Sequence, residues 1–173
     1  DEKERLENMA MDNVDTAEEI YFTREALNKA NEELHTLSIT DALTGAYNRR
    51  FIMDNLSLLD QKPEAHYALL MLDIDHFKKV NDTYGHEAGD IALVAFSDLC
   101  KKQLPENTVF GRLGGEEFAV IVRNTSLNEA VDIAENLRKA VARMTLSDRD
   151  QSFTITVSIG AAECKNGKTS SLE

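Results

Sequence analysis

Two short stretches of this chain place carboxylates where an apolar run begins or ends. In "LLMLDID", Asp73 and Asp75 close the run, and in "RLGGEEF", Gly114 and Gly115 precede Glu116 and Glu117 at the mouth of another, "FAVIV". Alternation along a strand sends Asp73 and Asp75 to one face and Ile74 to the other, and only one of two adjacent glutamates can share a given face. If the strands are neighbours, these carboxylates converge and repel one another, so unless some are protonated they require a cation. A hard cage of oxygens selects Mg²⁺ or Mn²⁺, and Mg²⁺ held by one or two carboxylates is the arrangement used with nucleotide phosphates. The plainer alternative is that acids at strand ends are simply solvated. Either pair alone favours that reading; two pairs at the ends of the most apolar strands bring the two readings level.

Between the acidic stretches lies "DHFKKVNDTYGHEAGD", residues 75–90. Its polar centre, from Lys78 to His86, reads as a loop joining a core strand to a helix, the kind of connection that holds function more often than chance. Lys78 and Lys79 are cations beside the proposed metal, where triphosphate oxygens would lie. Gly85 and Gly89 let backbone N–H groups approach a ligand near the next helix's N-terminus. Asn81 and Asp90 offer an amide and a carboxylate to a base edge, and a carboxylate accepting from two ring-side N–H groups is what a guanine requires. Each also has an ordinary role: Asn81 and Asp82 as turn residues, Asp90 as a first-turn acid on a helix dipole, His86 as a loop histidine.

These side chains need elements to position them. "HYALLMLDI", 66–74, reads as a central strand buried on both faces, and "TVFGRL" with "EEFAVIV" as a hairpin across the glycine pair. Helices are expected over "RRFIMDNLSLL", capped by Asp41 or Thr44 and ended by Pro63, over "GHEAGDIALVAFSDLCKKQL", ended by Pro105, and over "AVDIAENLRKAVARM" behind a capping box of Ser126 and Glu129. "SFTITVSIGAAE" supplies a last alternating strand. The order predicts an α+β sandwich with one mixed or mainly antiparallel sheet covered by helices. Residues 1–38 hold no glycine or proline and place Leu6, Met9, Ile20, Leu27, Ala30, Leu34 and Leu37 on a heptad seam, interrupted by Asn13, Thr16 and Thr23. They read either as a signalling helix in a parallel coiled coil or as a solvated helix on its own domain.

A net charge of −12 and a pI near 4.8 argue against a duplex nucleic-acid partner. Cys100 and Cys164 match no metal spacing or redox pair, which suggests small apolar residues in a reducing, cytoplasmic setting. No stretch approaches the length of a membrane span, so no membrane contact is expected within this chain, although an anchor upstream in the parent protein is compatible with it.

With these residues laid out, the chain closely resembles the GGDEF family of diguanylate cyclases. The matching segments are "DALTGAYNRR", "LDIDHFKKVNDTYGHEAGD", "RLGGEEF" and "TVSIGAA", in the family's order and separations, from about residue 39 to the C-terminus. The resemblance implies a palm-like nucleotidyl cyclase fold of the ferredoxin-like kind. It also implies metal-dependent condensation of two GTP molecules into cyclic di-GMP and two pyrophosphates, at the interface of two such domains. Asp73, the backbone carbonyl of Ile74 and Glu116 resemble metal ligands, with Glu117 supporting them. Glu116 resembles the base that takes the proton from the attacking 3′-hydroxyl. Asn81 and Asp90 resemble the guanine readers, Phe77 and His86 nearby substrate contacts, and Lys78 the residue that stabilises charge on the triphosphate. Gly114 and Gly115 are implied to make room for the nucleotide.

Two departures stand out. The family's feedback motif, Arg-x-x-Asp ahead of the signature, falls on Pro105 and Thr108, so product inhibition through it is not expected. The family normally continues past "SIGAA" into a helix carrying a phosphate-binding lysine and arginine, whereas this sequence reads "GKTSSLE", as a truncated domain would. The competing functions are a catalytically silent GTP-binding GGDEF module with a regulatory role and, third, an adenylate-type cyclase. A homodimer through the N-terminal helix and an upstream sensor domain are the expected partners.

Overall fold

The apolar run β1 (His66–Ile74) lies at the centre of the sheet as expected, but only the face of Ala68, Leu70, Leu72 and Ile74 is fully covered; the other opens toward the strand's end, where Met71 is 42% exposed. In the computed structural model, the backbone is described for residues 2–149, 151–165 and 168–172, and side chains for 2, 20–32, 34–36, 38–149 and 151–165. The chain divides into two compact units, Asp1–Ser38 and Ile39–Glu173.

The first unit is essentially one helix, α1 (Glu2–Ile39). Ile20, Leu27 and Leu34, seven residues apart, are 63%, 59% and 64% exposed, so the described part of the heptad seam faces solvent in a single chain. The side chains of Leu6, Met9 and Leu37 lie outside the described residues, as do those of Asn13 and Thr16. Among the described residues no helix is long and apolar enough to cross a membrane.

The second unit continues with α2 (Arg49–Asp60), β1, α3 (Phe77–Tyr84), α4 (His86–Gln103), β2 (Thr108–Gly114), β3 (Glu117–Arg123) and α5 (Leu127–Ala142). It ends with β4 (Thr145–Asp148), β5 (Gln151–Thr154), β6 (Val157–Lys165) and β7 (Lys168–Leu172). The main sheet runs β2-β3-β1-β6-β7 with every neighbouring pair antiparallel, and β4 and β5 form a separate hairpin. The period of two sorts the side chains. Ala68, Leu70, Leu72 and Ile74 of β1 join Phe118, Val120 and Val122 of β3 in a core with Ala92, Phe96 and Cys100 of α4 and Leu137 and Val141 of α5. Tyr67 of β1 and Ala119 and Ile121 of β3 point the other way, under Ile52 and Leu59 of α2. The opposite faces of one strand therefore belong to different helices.

Three local expectations are corrected. The segment from Lys78 to His86 is not a loop: Phe77–Tyr84 is helix α3, with Val80 buried and Phe77 and Tyr84 partly buried on the same side. The cap of α2 is neither Asp41 nor Thr44 but Asn48, whose side chain accepts from the Phe51 amide at 3.1 Å. The last strand is two strands. Gln151–Thr154 pairs with β4, and Val157–Lys165 enters the main sheet beside β1. Phe153 accounts for the break: it is buried and stacks on Tyr84 with ring centroids 4.8 Å apart, which holds β5 over the helices. The capping box at α5 forms as expected, with Ser126 and Glu129 satisfying each other's backbone.

Candidate active site

Asp73 is the last but one residue of β1 and shares its face with Met71, on the side away from the α4 and α5 core. Its partner across the ladder is Glu117, the first residue of β3, so register places these two carboxylates side by side. Glu116 sits in the two-residue turn just before, and its carbonyl accepts from the Ile74 amide at 3.3 Å. Burial raises the Asp73 carboxyl above its usual range, and the charges of Glu116, Glu117 and Asp75 raise it further. No lysine or arginine among the described residues pairs with Asp73, Glu116 or Glu117. Asp75 does not join them as a free ligand. It lies past the strand end, where it accepts from the Thr156 and Ser158 hydroxyls at 2.6 Å each, and despite some burial those hydroxyls hold it below the ordinary range.

Among the described residues, no three His, Cys, Asp or Glu side chains are drawn together closely enough to hold a metal unaided. The donor set still fits a hard divalent cation: all donors are oxygen, and among the described residues no lysine or arginine pairs with the carboxylates around Asp73.

The turn that carries Glu116 depends on its glycines. Gly114 has φ +150° and Gly115 φ +52°, backbone that side-chain-bearing residues rarely adopt, and a β-carbon on either would have nothing within 4 Å. Within the chain the glycines answer to the backbone, and the space above them is open. Arg112 holds the turn in place. Its Nε and Nη2 donate to the Gly115 carbonyl at 2.9 and 2.7 Å, and its Nη1 donates to Asp41 Oδ1 at 3.1 Å. Asp41 also accepts from the Thr44 amide and hydroxyl at 2.9 and 2.7 Å. Burial alone would raise its carboxyl, but the bonds from Thr44 and Arg112 bring it below its ordinary value. Sequence reasoning assigned Arg112 no role; its place two residues ahead of a positive-φ glycine pair was the available signal.

The second half of the site follows within three residues of β1. His76, with φ +56°, turns the chain into α3, an uncommon conformation for a histidine and one the sequence did not announce. α3 then presents Lys78, exposed, and one turn later Asn81, partly buried. Gly85, at φ +90°, separates α3 from α4, where His86 and Asp90 are exposed in the first turns. Neither the Asn81 amide nor the Asp90 carboxylate forms a hydrogen bond or ion pair to a described residue. The structure thus brings Asp73 and Glu117 together beside Glu116, sets Asn81 against the first turn of α4, and leaves Lys78, His86 and Asp90 facing solvent.

One substitution separates the fold's interest from the site's. A carboxyl whose folded pKa is raised contributes stability that is present below its ordinary value of 3.8 and lost as pH rises through the raised value. Where Asp73 is ionised, its charge is therefore a cost to the metal-free fold. Asp73→Asn is expected to raise Tm slightly at pH 7 in EDTA and to abolish any stabilisation by added Mg²⁺; differential scanning fluorimetry with and without Mg²⁺ checks both.

Comparison with known proteins gives a consistent result. Residues 38–173 match the family model described as "Diguanylate cyclase, GGDEF domain". An uncharacterized protein of Bacillus subtilis, YhcK, is 41% identical over 132 residues, covering 73% of this chain and 36% of that protein. The probable diguanylate cyclase DgcF of Escherichia coli K12 is 33% identical over 141 residues, covering 82% of this chain and 45% of that protein. This chain thus spans less than half the length of either relative. Among solved structures, the coiled coil and GGDEF domain of DgcB from Caulobacter crescentus, in complex with c-di-GMP, matches with a TM-score of 0.78 and 31% identity, covering 85% of this chain and 80% of that one.

Proposed function

Since the chain belongs to the GGDEF family of diguanylate cyclases, we propose that it joins two GTP molecules into cyclic di-GMP with loss of two pyrophosphates. The observation that carries this reading is the acidic cluster at the end of β1, where register sets Asp73 opposite Glu117 beside Glu116 and none of the three pairs with a lysine or arginine among the described residues. Asp73, the Ile74 carbonyl, Glu116 and Glu117 would hold Mg²⁺ or Mn²⁺. Such an ion supplies charge neutralisation on the triphosphate.

The chain's own groups do the rest. Asn81 and Asp90 hold the guanine edge, which the absence of side-chain partners among the described residues leaves them able to do, and Phe77 and His86 border it. Lys78, one helical turn before Asn81, meets the triphosphate as a point charge. Glu116 accepts the proton of the 3′-hydroxyl as that oxygen bonds to the α-phosphorus of the second GTP and pyrophosphate departs. The open space over Gly114 and Gly115 admits the nucleotide next to that base. Since each domain holds one GTP, both phosphodiester bonds form only where two domains face each other. The exposed Ile20, Leu27 and Leu34 of α1 suit a parallel coiled coil with a second copy, and an upstream sensor would act through that helix from a cytoplasmic position.

Incubation with Mg²⁺ and either GTP or ATP, followed by chromatography of the nucleotides and cross-linking at the same micromolar concentration, tests the whole reading. Cyclic di-GMP from GTP and dimeric protein are the expected results. GTP binding without product identifies the silent regulatory module, product from ATP alone replaces the substrate, and product from strictly monomeric protein removes the role given to α1.

A further inference from the structure

We propose that Gly89 is a specificity-positioning residue for the guanine site: its missing side chain sets the place of the Asn81 amide relative to Asp90. The inference rests on the reading of Asn81 as a base-edge contact given above. Gly89 is buried inside helix α4, where the backbone is ordinary and glycine is unfavourable relative to alanine. Its identity therefore answers to space and not to conformation.

The occupant of that space is specific. A β-carbon built on Gly89 overlaps the Asn81 amide oxygen, stands 3.0 Å from Asn81 Cγ and 3.3 Å from Phe77 Cζ. Asn81 has no hydrogen bond from its side chain to a described residue, and its amide lies directly against the Gly89 backbone, in the space a β-carbon would take. Asp90 is the next residue after Gly89 on the same helix. One position thus leaves room for the Asn81 amide and is followed directly by its carboxylate partner. An amide that both donates and accepts, and a carboxylate that only accepts, make a pair matched to the mixed donor and acceptor edge of guanine. Selectivity then depends on their relative placement as much as on their presence. Gly160 serves as a comparison: it too has an ordinary φ, yet a β-carbon there would have nothing within 4 Å.

Calorimetric titration of Gly89→Ala, Asn81→Ala and the double variant with GTP and with inosine triphosphate, which lacks the 2-amino group, tests the proposal. Gly89→Ala is expected to weaken GTP binding about tenfold and to narrow the preference for GTP over inosine triphosphate. Since Gly89 acts through Asn81, the double variant should bind GTP no more weakly than Asn81→Ala alone. If Gly89→Ala lowers Tm, Asn81→Ala in the same chain should restore it by vacating the overlap. Unchanged GTP affinity in Gly89→Ala, fully additive losses in the double variant, or a fold defect that Asn81→Ala does not relieve would each overturn the assignment. Unchanged GTP affinity in Asn81→Ala would instead remove the base-reading role on which the assignment rests.

Discussion

Glu116→Gln is expected to lower cyclic di-GMP formation about 10³-fold and to leave the fold as it was. The substitution keeps the shape of the side chain and removes both the basic oxygen pair and the negative charge that the proposed cation would neutralise. The fold should not notice. Glu116 lies in a two-residue turn whose geometry is set by Gly114, Gly115 and the bonds from Arg112, and its own side chain has no ion pair among the described residues. Its backbone carbonyl, which accepts from the Ile74 amide, is untouched. Removal of one negative charge beside Asp73 should, if anything, raise Tm slightly. The measurements are initial rates by chromatography at saturating GTP, with circular dichroism and thermal melts alongside. A variant that retains a tenth of the activity or more contradicts Glu116 as base and ligand together.

Phe118→Ala acts at the opposite extreme, on the structure that aims the turn. Phe118 is fully buried, with its ring 4.9 Å from Phe96 of α4 and 5.5 Å from Phe110 of β2 by centroid. Truncation of such a residue costs about 3–5 kcal/mol, which in a domain of this size lowers Tm by roughly 10 °C or more. Chemical denaturation with a linear fit checks the first figure and calorimetry the second. A loss below about 1 kcal/mol would mean that the three rings are not packed as described. Because Phe118 follows Glu117 directly, any protein that still folds should also be impaired in catalysis.

These two residues stand for what could and could not be read from the chain alone. The apolar runs at 66–74 and 117–123 and the intervening glycines were legible because burial and turn chemistry are local signals. The same period of two that marks β1 also foretold that only one of the adjacent glutamates shares the face of Asp73, and register shows that it is Glu117. Helix α3 was hidden by its charge. Its only apolar marks are Phe77, Val80 and Tyr84, whose spacing of three and four is helical but too short to outweigh the polar residues between them. The break between β5 and β6 was hidden for the opposite reason. Phe153, Ile155 and Val157 are all buried, so the alternation runs through the junction without interruption while the strands part company. Asp75 could not be sorted from Asp73 by any local rule, because the hydroxyls that claim it are 81 and 83 residues away.

That distant claim on Asp75 also bears on the order in which the molecule is made. β1 lies between β3 and β6, so during synthesis the helices and the β2–β3 hairpin emerge while one flank of β1 is still bare. The Asp75 amide finds the Thr156 carbonyl, and its carboxylate the two hydroxyls, only when residues 156–158 leave the ribosome. Pairings of such long separation form late, since loop closure must precede any gain from the contact. A nascent chain will therefore assemble the α4 and α5 core first, and the end of the sheet that holds Asp73 becomes rigid last. Ribosome-stalled chains ending near residue 150 should accordingly remain sensitive to proteolysis around residues 73–76.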